Sequence, residues 1–152
     1  MLLGQQEKEI AIKENYYNKA IEEFNTALRI YTPYANAWYD LGITKDLLKK
    51  DNEAYFAYQK TISIDPTYSK AYNNLGVIDF SKKDYDKALK LFKKAVELDP
   101  LYVDALGNIG AVYHSLGNKE EAILWYKKAL SINPDQQLFR QDLNLLNSEH
   151  QR

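Results

Sequence analysis

Between Ala71 and Leu98 the apolar positions return with a helical period. Leu75 in the first half, then Phe92, Ala95 and Leu98 in the second, place apolar side chains on one face of a helix. Two segments are predicted, Ala71 to Ser81 and Tyr85 to Leu98, parted by the polar break Lys82-Lys83-Asp84 and closed by Asp99-Pro100. Proline has no amide hydrogen and biases the residue before it away from the helical region, so Pro100 ends the second helix and turns the chain. The breaks carry start signals: Asp84 is a good N-cap, and Asn118 followed by Glu121 has a capping-box arrangement.

The same organisation recurs along the chain. Gly42, Gly76 and Gly110 are 34 positions apart, and the same step links Ala20, Ala54, Ala88 and Ala122. Pro66, Pro100 and Pro134 keep it, as do Phe24, Tyr58, Phe92 and Tyr126, and the turn residues Tyr34, Tyr68 and Tyr102. The Gly and Ala series fall where small side chains let paired helices approach. One helix pair cannot bury its apolar face alone, so neighbouring pairs must stack. The reading is an all-α array in one domain, 1–152, with units near 1–34, 35–68, 69–102 and 103–136, about three and a half helix pairs. The first unit is degenerate: Glu7-Lys8 stands where Leu-Gly belongs, and Pro33 is one place late. Its first helix is expected to be an exposed cap or the remnant of a longer array. Residues 136–147, with Phe139, Leu143 and Leu146 apolar, are expected to form a terminal helix over the last core face.

Composition narrows the function classes. The chain has 152 residues, 45% hydrophobic and 13% aromatic, enough for a real core, and its net charge of -1 gives no long-range pull on nucleic acid or acidic membrane. Without cysteine there is no disulfide, thiol nucleophile or cysteine-ligated zinc. No apolar stretch is long enough for a signal peptide's core or a membrane span, and the expected compartment is cytoplasmic. His114 and His150 lack metal-ligand spacing, and no carboxylate pair has an apolar setting that would hold it for acid-base work. Gly107-Asn108-Ile109-Gly110 faintly suggests a nucleotide loop but falls inside a predicted helix with no strand before it. Lys82, Lys83, Lys87, Lys90, Lys93 and Lys94 are interspersed with Asp84, Asp86 and Glu97, a solvated face rather than a nucleic-acid patch. No enzyme, cofactor or metal is expected.

Trp38, Leu41, Gly42, Ala54, Tyr58 and Pro66 match the pattern W-x2-L-G-x2-Y, A-x3-F, P. So do Tyr72, Leu75, Gly76, Ala88, Phe92 and Pro100, and again Leu106, Ile109, Gly110, Tyr113, Ala122, Tyr126 and Pro134. On these residues the chain resembles the tetratricopeptide repeat family. The pattern's inner tyrosine is replaced by Lys45 and Asp79, where looser packing is expected. The resemblance implies an α-solenoid of helix-turn-helix repeats, a right-handed superhelix with a C-terminal capping helix, whose first helices line a concave groove. It implies a scaffold or adaptor for a protein or peptide partner; the charge and hydropathy given above argue against nucleic acid and membrane as partners.

In that family the residue two before each Gly faces the groove, which here gives Asp40, Asn74 and Asn108. The set resembles the asparagine ladder of the O-linked N-acetylglucosamine transferase superhelix, where amides grip an extended peptide. An Asn side chain both donates and accepts, so it can pair with a peptide backbone whatever its side chains; Asp40 can only accept. The plainer alternative is that these amides are ordinary polar surface. Ile43, Val77 and Ala111, one residue after each Gly, form an apolar set in register, with Tyr39, Asn73, Phe80 and His114 expected nearby. Asp40, Asp46 and Asp104 outweigh Lys70, so the lining is expected to be mildly acidic. The positions matching the family's carboxylate clamp hold Gln5, Glu9, Asp40, Lys70 and Asn74, of which only Lys70 fits. Two alternatives stay open: a self-assembling module forming a homo-oligomer, and the substrate-recruiting part of a larger enzyme such as a glycosyltransferase.

Overall fold

The computed structural model describes residues 2–30 and 34–150, with side chains from 8 to 26 and from 34 to 148. Pro33 and the side chains of Gln5, Glu7 and His150, which entered the sequence reading, lie outside these ranges. Among the described residues all regular structure is helical. The fold is all-α, built from helix-turn-helix repeats. By contacts the chain divides into two compact units, 1–66 and 67–152.

The first unit contains α1 (Leu2–Ile30), α2 (Ala35–Leu47) and α3 (Asp51–Ile64). Here the expectation of two helices in residues 1–34 gives way to one continuous α1. The cause is steric and local. In later units a glycine on the first helix receives an aromatic ring from the second; the matching positions here are Lys8 and Phe24, and a hairpin would drive one into the other. Phe24 and Ile21 instead pack on Ala37, Leu41 and Ala57.

The second unit contains α4 (Ser69–Ser81), α5 (Tyr85–Leu98), α6 (Val103–Ser115), α7 (Lys119–Ile132) and α8 (Gln137–His150). Helix α4 pairs with α5 and α6 with α7; α5 packs on α6, α7 on α8, and α4 touches α6. The hairpins lock through one contact: Gly76 lies against Phe92, and a Cβ there would sit 2.6 Å from the ring. Gly110 meets Tyr126 in the same way, as Gly42 meets Tyr58 in the first unit. Ala54, Ala88 and Ala122 are wholly buried. Lys45 and Asp79 do not loosen the packing: Asp79 is buried, and Lys45, its side chain 13% exposed, pairs with Glu53 at 2.5 Å.

The hairpin turns share one geometry. Lys49, Lys83 and Gly117 adopt positive φ of 58°, 62° and 77°, and the following amide donates back to the carbonyl five residues earlier at 2.9 Å. This is the glycine-type helix stop, and in two turns a lysine occupies it. A side chain there strains the backbone, so Lys83→Gly is expected to raise stability by about 0.5–1 kcal/mol, read as a higher urea midpoint; a lower midpoint would contradict this geometry.

Helix α8 begins at Gln137, 34 residues after Val103, and so occupies the register of a first helix. The face that would receive a second helix carries Arg140, Asn144 and Asn147 where α6 carries Leu106, Gly110 and Tyr113. That polar substitution makes α8 a capping helix. Its inner face is apolar, with Phe139 and Leu146 buried in one cluster with Leu106, Ala122, Tyr126 and Ala129.

Candidate functional site

The first helix of each repeat brings together one polar residue and, three positions later, one apolar residue. That spacing puts both on the same helix face.

On α2 the pair is Asp40 and Ile43. Asp40 is exposed, yet nearby atoms remove enough water to push its carboxyl above the ordinary value. Ile43 is half-buried, and Tyr39 turns its ring towards Tyr58 with centroids 5.7 Å apart. Asp46, expected among the lining charges, bonds within its own hairpin. It is half-buried and accepts the Tyr58 hydroxyl at 2.6 Å, and desolvation pushes its carboxyl up against the opposing effect of that bond.

On α4 and α6 the pairs are Asn74 with Val77 and Asn108 with Ala111. Val77 is 45% exposed, while Asn74, Asn108, Ala111 and His114 are half-buried and Lys70 is exposed. The amides are linked in a way the sequence did not reveal. Asn108 Nδ2 donates to Asn73 Oδ1 at 2.9 Å, and Asn73 Nδ2 donates to Asn74 Oδ1 at 3.3 Å. Asn73, expected near a ligand, is buried at 5% and acts as the bridge between the two helices. A row of amides fixed this way is held in one orientation while keeping acceptor and donor capacity at Asn108. Phe80 is directed elsewhere: its ring packs on Tyr85 at 5.5 Å and joins the cluster of Ala88 and Phe92.

Two residues in the same register were missed. Asp142 and Leu145 on α8 continue the positions of Asn108 and Ala111 by the 34-residue step, a signal obscured because Asn144 replaces the glycine between them. Leu145 is 50% exposed. Asp142 hydrogen-bonds the buried Tyr126, whose ring stacks on Phe139 with centroids 5.9 Å apart. Burial first, then the Asp142 charge and hydrogen bond, push the Tyr126 phenol above its ordinary 10.0. The folded chain therefore holds that proton more tightly than the unfolded chain. Its stabilisation is complete below a pH of about 10 and is lost as pH rises beyond it. Thermal melts from neutral to alkaline pH should show this loss in the wild type and a smaller one in Tyr126→Phe; equal slopes would exclude Tyr126 as the source.

Among the described residues no three His, Cys, Asp or Glu side chains gather as a metal site, and no helix is long and apolar enough to cross a membrane.

Residues 35–68 and 67–135 each match a family model described as tetratricopeptide repeat. The crystal structure of MamA superposes with a TM-score of 0.81 at 26% identity, covering 90% of this chain and 80% of that one. That of YrrB, a TPR protein with an unusual peptide-binding site, gives 0.73 at 26% identity over 88% of this chain and 69% of that one. The first TPR of Spaghetti (RPAP3), solved with the HSP90 peptide SRMEEVD, shares the fold with a TM-score of 0.74 at 24% identity, over 78% and 94% of the two chains. No curated protein matches this chain in sequence.

Proposed function

Since the chain belongs to the tetratricopeptide repeat family, we propose that it is a non-enzymatic interaction module that holds an extended peptide or partner segment along α4 and α6. The amide row Asn108–Asn73–Asn74 beside the exposed Val77 carries this reading. An extended peptide offers unpaired backbone donors and acceptors along its length, and fixed side-chain amides can serve them without regard to sequence. Val77 and Ala111, one turn on from the amides, supply apolar contact for the peptide's side chains. Lys70 lies four residues before Asn74, on the same face, and His114 three after Ala111. The neighbour YrrB, a peptide-binding protein at 26% identity, supports the class of partner.

Peptides selected from a random display library against the wild-type chain test the proposal. Val77→Glu places a charge on the exposed apolar residue without touching the core, and is expected to weaken the selected peptides at least tenfold, about 1.4 kcal/mol. Unchanged affinity would move the site off α4. The acidic SRMEEVD peptide is expected not to bind tightly, since Lys70 alone fits a carboxylate clamp; nanomolar binding in calorimetry would contradict this.

A further inference from the structure

A cleft of about 470 Å³ opens among α1, α2 and α3, lined by Ala57 and walled by Trp38 and Phe56. The two rings meet edge to face at 5.9 Å, and Phe56 is 52% exposed. The same chain shows how such a place is filled. Two repeats on, α7 carries Glu121, Trp125 and Lys128 where α3 carries Glu53, Ala57 and Lys60. There the Trp125 indole Nε1 donates to the Glu121 carboxylate at 3.2 Å, and the Lys128 ammonium lies 4.0 Å from the ring centroid. The ring itself packs beside the cluster of Phe92 and Ile109.

Helix α3 keeps the carboxylate and the cation but lacks the ring. Trp38, in the place of Leu106, together with Ile21 and Phe24 of α1 covers Ala57, which is 1% exposed, and the cleft opens beside it against Trp38 and Phe56. Lys60 already lies over Phe56, 5.4 Å from its centroid. Glu53 is 53% exposed along its side chain and accepts the Lys45 ammonium at Oε2, a bond that holds the carboxyl below its ordinary value; a carboxylate has a second oxygen, Oε1, able to accept as well. The intervening repeat has Lys87 and Leu91 at the matching positions, so neither the acceptor nor the gap recurs there.

We propose that this cleft receives a tryptophan side chain of a partner peptide, its indole N–H donated to Glu53 and its ring set against Trp38 and Phe56. Indole fits better than phenyl because it supplies the donor that the retained carboxylate accepts in α7, and a hydrogen bond to a charged acceptor is among the stronger ones. Aromatic rings also gain from edge-to-face contact with one another.

The test uses the capped pentapeptide acetyl-Gly-Gly-Trp-Gly-Gly-amide and its counterpart with 1-methyltryptophan, titrated to millimolar concentration into the isotope-labelled chain. The expected result is saturable movement of the Trp38 indole and Phe56 signals, with the methylated peptide at least fivefold weaker. Ala57→Trp, which supplies the ring from the chain itself, is expected to abolish the movement while leaving the display-selected peptides bound to α4 and α6. The proposal is overturned if Trp38 and Phe56 do not respond, or if both peptides bind equally. The methylated peptide requires no variant, so the test stands even where Ala57→Trp does not fold.

Discussion

Gly76→Leu is expected to lower stability by about 3 kcal/mol or more, at the upper end of overpacking costs. The site leaves no room: even a methyl group at Gly76 would lie 2.6 Å from Cε1 and 2.8 Å from Cδ1 of Phe92. The ring cannot swing aside, because Phe92 is 1% exposed and Ala88 and Ala95, its neighbours on α5, are wholly buried. Alanine at this position would gain helix propensity of about 1 kcal/mol over glycine and lose it again to the clash. Leucine adds three more carbons with no such return. Urea denaturation measures the effect, and a double-mutant cycle with Phe92→Ala identifies its cause. If the clash with the ring is the source, Gly76→Leu costs less in the Phe92→Ala background than in the wild type. A midpoint near that of the wild type would show that α4 and α5 are not locked through this pair.

Phe139→Ala is expected to cost about 3–5 kcal/mol, as for other buried phenylalanines cut to alanine, and to act first on α8. Phe139 is 7% exposed, stacks on Tyr126, and its ring lies over Gly107 so closely that no side chain fits there. The corresponding positions one repeat earlier hold Ala105 and Asn73. The last interface has therefore exchanged a small residue on the incoming helix for a large one, and a medium residue on the receiving helix for none. Conserving volume in this way preserves packing. Removing the ring alone leaves a cavity beside Gly107, so the α8 amides should lose hydrogen-exchange protection before those of α4 and α5. Stacked repeats allow an end to open by itself. Protection lost evenly through residues 67–148 would mean that α8 is not a separate cap.

The spacing of 34 residues made most of the helical plan legible. A segment read as Ala71 to Ser81 forms Ser69–Ser81, and Tyr85 to Leu98 forms as predicted. Asn118 caps α7, accepting the Glu121 amide at 3.3 Å. What the repeat pattern hid lay wherever one position departed from it. Glu7-Lys8 read as mere degeneracy, whereas Lys8, in place of the glycine that would receive Phe24, leaves no room for a hairpin, and α1 runs unbroken. Asn144 disguised α8 as an unrelated terminal helix, although its start keeps the step. The helix and register of the candidate residues were legible, and their bonding was not. The phase of the glycines placed Asn74 and Asn108 on first helices, yet their link through Asn73 depends on how closely α4 approaches α6, which no single helix encodes. Phe80 and Asp46 were assigned by phase to a ligand, but their side chains reach Tyr85 and Tyr58. Helical phase fixes which way a Cβ points and leaves open where a long side chain ends.

The side-chain amide signals of Asn74 and Asn108, followed in the isotope-labelled chain during titration with a display-selected peptide, test the proposed peptide-holding face most directly. Both sets should move together and saturate with the same affinity, while those of Asn118 and Asn133, at the ends of α7, stay in place. Saturation of binding with the Asn74 and Asn108 signals unmoved would contradict a peptide held along α4 and α6.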